Sequence, residues 1–529
     1  MRDRTIALTG FMGSGKTAVG RALAERLGRP FVDMDAVLEQ RLGMTIAEAF
    51  RTLGEQAFRA AEAELVAELA AQEGLVVATG GGALVPEANR NTLLARAVVI
   101  LLTCAPEELA RRLEGALDRP LLAGEDRLAT IARLLGERQA AYEAIPLHLE
   151  TTHLSVAEAA ERAQRLAAAA AAGPLHLLPL PASAGGYDVA VGEGLLGRSG
   201  AWWRALDAGD TAVVVSEPRV RALHGSALGR ALMEAGIAAR WLEAPAGEAA
   251  KTYEGLHSLY DQLLQAGADR HTLLIALGGG ALSDMAGFAA ATWMRGLPWV
   301  SVPTTLLAQI DAGIGGKVAI DHPGGKNLIG AFYPPRAVLV DPALLRTLPP
   351  EELRSGLAEV VKHGVIAAPA LFARLEAQGP EPLATTVLEA VRVKVDVVSE
   401  DPWERGRREV LNLGHTVGHA VERLSGFSLR HGEAVSIGMA AVTRLAVCLG
   451  VCDPELEPRL LGVLRRLELP VRAPEIEPEA VWQAMASDKK SRAGVVRFVL
   501  PVRLGEVTVR SGIDYEDFAA AWREVMAYA

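Results

Sequence analysis

Residues 5–20 read TIALTGFMGSGKTAVG: an apolar run, a glycine-rich turn, then small and apolar residues at helical spacing. Gly10, Gly15, Lys16 and Thr17 satisfy G-x-x-x-x-G-K-[ST] in the strand-to-helix setting this motif needs. With Gly13 and Ser14, the glycines let successive backbone N–H groups turn inward around a polyphosphate. Lys16 adds a point charge, and the Thr17 hydroxyl suits a magnesium ion. The N-terminal part therefore reads as a parallel α/β nucleotide-binding layer. Outward from it, LVVATGGG (75–82) and AVVILLT (97–103) alternate with amphipathic helical patterns to about residue 170.

The chain of 529 residues is long enough for about three or four domains. Half the residues are apolar and the net charge is −10, which gives no reason to expect a nucleic-acid partner. Any anionic ligand must then be held by locally placed cations. Three cysteines argue against a disulfide framework. Cys448 and Cys452, four apart, read as buried small side chains. The apolar run RLAAAAAAGPLHLLPLP is interrupted by Gly173, Pro174 and Pro179, so no membrane span is expected. MRDRTIALTG runs straight into a strand without a signal core, which points to the cytoplasm.

Residues 173–186, rich in proline and glycine without a clear period, read as a linker after a domain of residues 1–172. YDVAVG, TAVVVSE, TLLIALGGG and WVSVPTT then mark a second α/β domain, 187–342. Strand signals nearly vanish beyond it, and 343–529 reads as mostly helix.

FVDMDAV places Asp33 and Asp35 in alternation, on one side of a strand end; a helix N-cap reads equally well. EQAFRAAEAE puts Arg59 and Glu62 one helical turn apart, and GGGAL follows a strand at 80–84 before Pro86 opens a helix. This set resembles shikimate kinase over residues 1 to about 165. The resemblance implies that Asp35 binds the substrate hydroxyls and acts as general base. It places Asp33 with Thr17 at the magnesium ion that accompanies ATP, Arg59 and Arg138 on the shikimate carboxylate, and Gly80, Gly81 and Gly82 against the ring. Arg119 would be a lid arginine over the phosphates, and Arg112 would lie near the adenine. Phosphoryl transfer asks for such charge neutralisation and positioning.

GGGAL recurs at 278–282, between the strand TLLIALG and a helix carrying Asp284. Glycines there allow a pyrophosphate to approach a helix N-terminus, although the motif is not G-x-G-x-x-G. The flanks of the two copies do not align, so they are two sites and not a repeat. GEAAKT places Glu248 and Lys251 upstream; SVPTTLLAQIDAGIGGKVAIDHPGGKN supplies Thr304, Thr305, Asp311, Lys317, Lys326 and Asn327. In RREVLNLGHTVGHAVERL, helical spacing puts Arg408, Asn412, His415 and His419 on one face. One carboxylate and two imidazoles with an open position suit a catalytic zinc. Spacing alone favours the pair His415 and His419, with Glu359 and His431 nearby; cobalt suits such ligands as well.

Residues 185–529 resemble 3-dehydroquinate synthase, and that resemblance puts the metal on Glu359, His415 and His431. It assigns NAD to Glu217, Glu248, Lys251, Gly279, Gly280, Asp284, Thr304 and Thr305, with Lys326 at cofactor and substrate alike. The family usually has an aspartate where Glu217 stands. Substrate falls to Arg295, Asp311, Asn327, Lys362, Lys394, Arg408, Asn412 and Lys490, with Lys317 and His419 also catalytic. Arg295 is expected to reach a neighbouring subunit, which implies a homodimer. The implied substrate, 3-deoxy-D-arabino-heptulosonate 7-phosphate, carries a carboxylate and a phosphate, which accounts for so many cations in an acidic chain.

Overall fold

Every residue of β1 (Ile6–Gly10) is buried, as an apolar strand between parallel neighbours must be. The computed structural model describes residues 4–114, 127–171, 173–181, 183, 185–206, 209–486 and 496–528. The chain forms two units, one of Met1–Pro179 with Gly197–Ala208 and Ala231–Ala235, the other of Leu180–Leu196, Gly209–Arg230 and Gly236–Ala529. Both are α/β.

In the first unit β2 (Phe31–Asp33), β3 (Val76–Ala78), β4 (Val98–Thr103) and β5 (Leu147–Glu150) join β1 in a parallel sheet of order β2-β3-β1-β4-β5. Leu8 faces Ala78 on one side and Ile100 on the other. The glycine loop thus leaves the carboxyl end of the central strand, where open α/β sheets bind ligands. The stretch expected as a linker contains a strand, β6 (His176–Pro179). Leu177 and Leu178 are buried, and Leu177 donates its N–H to the Pro146 carbonyl, so flanking prolines only bound this segment.

In the second unit β7 (Asp188–Val191), β8 (Thr211–Ser216), β9 (Ala238–Glu243), β10 (Leu273–Gly278), β11 (Trp299–Pro303) and β14 (Ala337–Val340) run parallel in the order β7-β14-β11-β10-β8-β9. An antiparallel hairpin, β12 (Lys317–His322) with β13 (Gly325–Phe332), follows β11. Beyond β14 come the helices Pro350–Ile366, Leu383–Glu400, His415–Leu424 and His431–Cys448 among others. The first buries every residue from Ser355 to Ile366, so it is a central helix.

The helical expectation for this region misses the hairpin of β15 (Arg497–Arg503) and β16 (Glu506–Ser511), whose core residues are Phe498, Val499 and Leu500. Cys452 is buried but Cys448 is exposed, against the reading of both as core. Nor is 407–424 one helix. A short 3-10 turn, Arg407–Asn412, is followed by Gly414 at φ 79° and only then by helix His415–Leu424. The left-handed conformation favours glycine, and a Cβ there would come 2.8 Å from the Val435 carbonyl oxygen. Glycines also set the packing around it: a Cβ on Gly438 would meet the Gly414 carbonyl oxygen, and one on Gly432 the Ser355 carbonyl oxygen. Helices Pro350–Ile366, His415–Leu424 and His431–Cys448 are thereby brought close enough for their side chains to meet.

Candidate active sites

Gly15 caps the helix Lys16–Leu27 in a left-handed conformation and no side chain satisfies the cap. Its first N–H groups therefore point at the loop, as an anion requires. Lys16 Nζ donates to the carbonyls of Gly10 at 3.0 Å and Phe11 at 2.9 Å. A Cβ on Gly10 would sit 2.4 Å from the Leu102 carbonyl oxygen, so the first motif glycine is a packing requirement. Thr17 donates its hydroxyl to Asp33 at 2.8 Å.

Asp33 and Asp35 do not share a strand. Asp33 is both the last residue of β2 and the N-cap of helix Met34–Leu42, accepting from the Asp35 N–H. The alternation expected of a strand end gives way to the cap, because the helix starts one residue earlier. Asp33 is left beside Thr17, and Asp35 faces Gly80: a Cβ there would lie 2.8 Å from Asp35 Oδ1. Arg59 packs against Gly82 and pairs with Glu62 at 2.7 Å. Burial pushes the Glu62 carboxyl up, with Arg59 opposing. Arg138 donates to the Gly81 carbonyl at 2.8 Å and lies over the Phe11 ring. Lys16, Asp35, Arg59, Gly81 and Arg138 line one cavity of about 410 Å³. Arg112, held by Glu108 and the Thr151 carbonyl, also lines a neighbouring one of about 470 Å³ with Gly13, Ser14 and Gly15. Arg119 lies outside the described residues.

In the second unit β10 ends at Gly278, and Gly279 caps helix Gly280–Thr292 with no side-chain bond. Thr304 donates its N–H to the Gly278 carbonyl, and Thr305 accepts from Ala308. Lys251 is buried and donates to Asp284 at 2.8 Å and to the Asn327 side chain. Glu248 lies 3.7 Å from Lys326. Glu217 follows β8, and burial raises its carboxyl. An uncapped helix end behind glycines fits a dinucleotide pyrophosphate.

A cavity of about 600 Å³ opens beside this turn, lined by Asp311, Lys317, Lys394, Arg408, Asn412 and His419 among others. Asp311 pairs with Lys362 at 3.0 Å and with Lys394, and these cations hold its carboxyl well below the usual range despite burial. Lys317 pairs with Glu404 at 2.5 Å. Arg408 is buried, donating to the carbonyls of Gly315 and Pro402. Arg295 is exposed at a positive φ of 68° and is not among the residues lining this cavity. Lys490 lies outside the described residues.

Beside His415 and His431, which line the cavity, Glu359 is fully buried. Lys362, His415 Nε2 at 3.4 Å and His431 Nε2 at 3.6 Å crowd it. Glu359, His415 and His431 each offer a ligand atom, all within 4.8 Å of one another. Burial would raise the Glu359 carboxyl, but Lys362 and His415 hold it low. Burial drives the His415 pKa well down, keeping the neutral imidazole that ligates metals. An ionised carboxylate facing two imidazoles fits a divalent cation. Helical spacing pairs His415 with His419, and their rings are indeed 5.4 Å apart. His431, from the next helix, lies 5.2 Å from His415, and its Nε2 comes within 3.6 Å of Glu359.

Sequence reasoning passes over three residues here. Glu422 lies 3.5 Å from His431 Nδ1, and its place seven residues after His415 on one helix was a usable signal. Glu404 and the buried His363 carry no comparable signal, since one sits in a loop and the other reads as core.

Three family descriptions match the chain: shikimate kinase at residues 12–168, and 3-dehydroquinate synthase N-terminal and C-terminal at 241–355 and 356–491. A 3-dehydroquinate synthase of Synechococcus sp. is 46% identical over 345 residues, covering 63% of this chain and 94% of the relative. The chain belongs to the 3-dehydroquinate synthase family. A synthase from Symbiobacterium thermophilum is 45% identical over 61% of the chain and 93% of its own length. Among solved structures, ValA (2-epi-5-epi-valiolone synthase) from Streptomyces hygroscopicus, with NAD+ and Zn2+ bound, is 32% identical with a TM-score of 0.59. It covers 64% of this chain and 97% of its own. With the kinase match ahead of the synthase family portion, the chain is a kinase–synthase fusion and a bifunctional enzyme of the shikimate pathway. No described helix is long and apolar enough to cross a membrane.

Proposed function

We propose that residues 1–172 transfer phosphate from magnesium-bound ATP to the 3-hydroxyl of shikimate. In the same reading, residues 187–342 and 343–529 together convert 3-deoxy-D-arabino-heptulosonate 7-phosphate to 3-dehydroquinate and phosphate, with 173–186 joining the two activities. The observation that carries the second assignment is the buried Glu359 beside His415 and His431, two residues that line one cavity with Lys317, Lys394 and Arg408. A substrate with both a carboxylate and a phosphate matches those cations. The likeness to a 2-epi-5-epi-valiolone synthase favours, as a second reading, a related cyclase on the same scaffold; one acting on a neutral-ended sugar phosphate would need fewer of them.

In the kinase half, Lys16 and the loop N–H groups neutralise the phosphates, and Arg119 would add a further positive charge there. Asp33 and Thr17 hold magnesium. Arg59 and Arg138 grip the carboxylate, since each guanidinium can bond it in two places. Asp35, against Gly80, takes the hydroxyl proton.

In the synthase half, Glu359, His415 and His431 would hold zinc or cobalt, and the turn at Gly279–Gly280 with Lys251, Asp284, Thr304 and Thr305 would hold NAD. When bound, these groups supply a hydride acceptor and donor and a Lewis acid. Lys317, Lys362, Lys394, Arg408, Asn327 and Asn412 orient the substrate, and His419 moves a proton at a substrate hydroxyl. Lys490 would also bind the substrate. Arg295 reaches the neighbouring subunit of a homodimer, and the enzyme is cytoplasmic. The two steps are not consecutive in the pathway, so no product passes directly between them.

Phosphate release from 3-deoxy-D-arabino-heptulosonate 7-phosphate with NAD and zinc, and without ATP, tests the synthase. Release is expected, with loss on chelation and in His431→Ala. No release from folded, metal-loaded protein would refute it.

A further inference from the structure

His431 stands between two carboxylates. Its Nε2 faces Glu359 Oε1 at 3.6 Å, and its Nδ1 faces Glu422 Oε2 at 3.5 Å. A neutral imidazole carries one proton, and the nitrogen that ligates a cation must be the bare one. For Nε2 to turn its lone pair toward the space shared with Glu359 and His415, Nδ1 must keep the proton and donate it. Glu422 is the acceptor in place. It sits on helix His415–Leu424, three residues after His419, with a largely buried side chain. Its rotation is fixed from the other side, because Oε1 lies 3.3 Å from Lys326 Nζ on β13. Lys326 in turn lies over the Phe427 ring, 4.9 Å from its centroid.

We propose that Glu422 is a positioning residue. It selects the tautomer and fixes the ring of His431, so that Nε2 is presented to a divalent cation shared with Glu359 and His415. The inference rests on the metal-site reading above, and an outer carboxylate of this kind is worth about 10–100-fold in metal affinity. The alternative is that Glu422 itself ligates, since His419, Glu422 and His431 also bring ligand atoms within 4.8 Å of one another.

The experiment is competition of zinc against a chromophoric chelator, and the visible spectrum of the cobalt-substituted full chain, for wild type and E422Q, E422D, H431A and H419A. E422Q is expected to weaken zinc about 10–100-fold with the shape of the cobalt bands unchanged, because the ligands are unchanged. E422D, whose carboxylate is withdrawn but intact, falls between; it also serves if E422Q does not fold. H431A loses the ion, and H419A keeps it. Affinity of E422Q or E422D within twofold of wild type, with H431A still losing zinc, overturns the role of Glu422 and leaves the metal site standing. Loss in H419A equal to that in H431A overturns it too, by making Glu422 a ligand. Unchanged binding in H431A removes both the metal site and this inference.

Discussion

The guanidinium of Arg408 is pressed against Gly315: Nη2 donates to its carbonyl at 3.3 Å, and a Cβ on Gly315 would lie 2.2 Å from that same nitrogen. Gly315 is also at φ 107°, where any other residue is strained by about 1–3 kcal/mol. Gly315→Ala is therefore expected to lower stability by that order and to push Arg408 out of line. Steady-state kinetics should show KM for the phosphorylated substrate raised at least about tenfold, the cost of one charge-assisted contact of about 1.5–3 kcal/mol, with NAD binding unchanged. An unchanged KM would show that Arg408 does not hold substrate.

His415, His419 and His431 form a triangle of rings 5.2 to 5.8 Å apart, and His415 and His431 bring ring nitrogens within 3.4 and 3.6 Å of Glu359. His419→Ala should keep one metal ion per chain by elemental analysis and lose turnover by about 100-fold or more, as for a lost general acid–base. His415→Ala should lose the ion. Equal metal loss in both would restore the pairing that helical spacing favours.

Lys394 is buried beside Arg408 and Lys362, and burial with those like charges lowers its pKa to about 8 despite Asp311. Its positive charge is present below that pH and lost above it. The kcat/KM for the phosphorylated substrate, which reports the free enzyme, should fall with unit slope above about pH 8. Lys394→Arg keeps its charge to higher pH and should move that fall to higher pH. The stability sign runs oppositely. The unfolded chain holds this proton toward the ordinary 10.5, so it binds more protons between the two values and stability rises with pH there. An identical pH profile for wild type and Lys394→Arg would remove Lys394 from substrate binding.

The kinase and synthase sites lie in separate units. Lys16→Met should abolish phosphorylation of shikimate and leave phosphate release by the other half within about twofold, as independent sites behave additively. Gly80→Ala, whose Cβ would meet Asp35 and Glu62, should lower kcat of the kinase alone. Any large synthase loss in Lys16→Met would show coupling.

How far the sequence reveals all this depends on whether the signal is local. The phosphate loop is legible because strand, glycines, lysine and threonine are contiguous and each has its own physical reason. The parallel strands are legible because burial on both faces leaves unbroken apolar runs. Metal geometry is not local. Three helices meet only because Gly414, Gly432 and Gly438 let backbones approach, and no spacing within one helix reports that. The single-helix reading of 407–424 fails for the same reason, since Gly414 serves a contact with a distant helix. Asp33 and Asp35 mislead more simply: period-two alternation and an N-cap look alike over three residues.

Five lysines of the synthase half already pair with carboxylates of the chain. Lys317 has Glu404, Lys362 and Lys394 share Asp311, Lys326 has Glu422 and Lys251 has Asp284. Binding an anion here is an exchange of partners, in which each new contact displaces an old one. A simple salt anion offers one charge and little else, so it gains scarcely more than it breaks. A ligand that brings several anionic oxygens at once, on a frame that reaches several of these pairs together, shifts many exchanges in one event. The internal carboxylates thus set a threshold of valency: chloride can only trade one contact for another, whereas a ligand with several anionic oxygens trades several together.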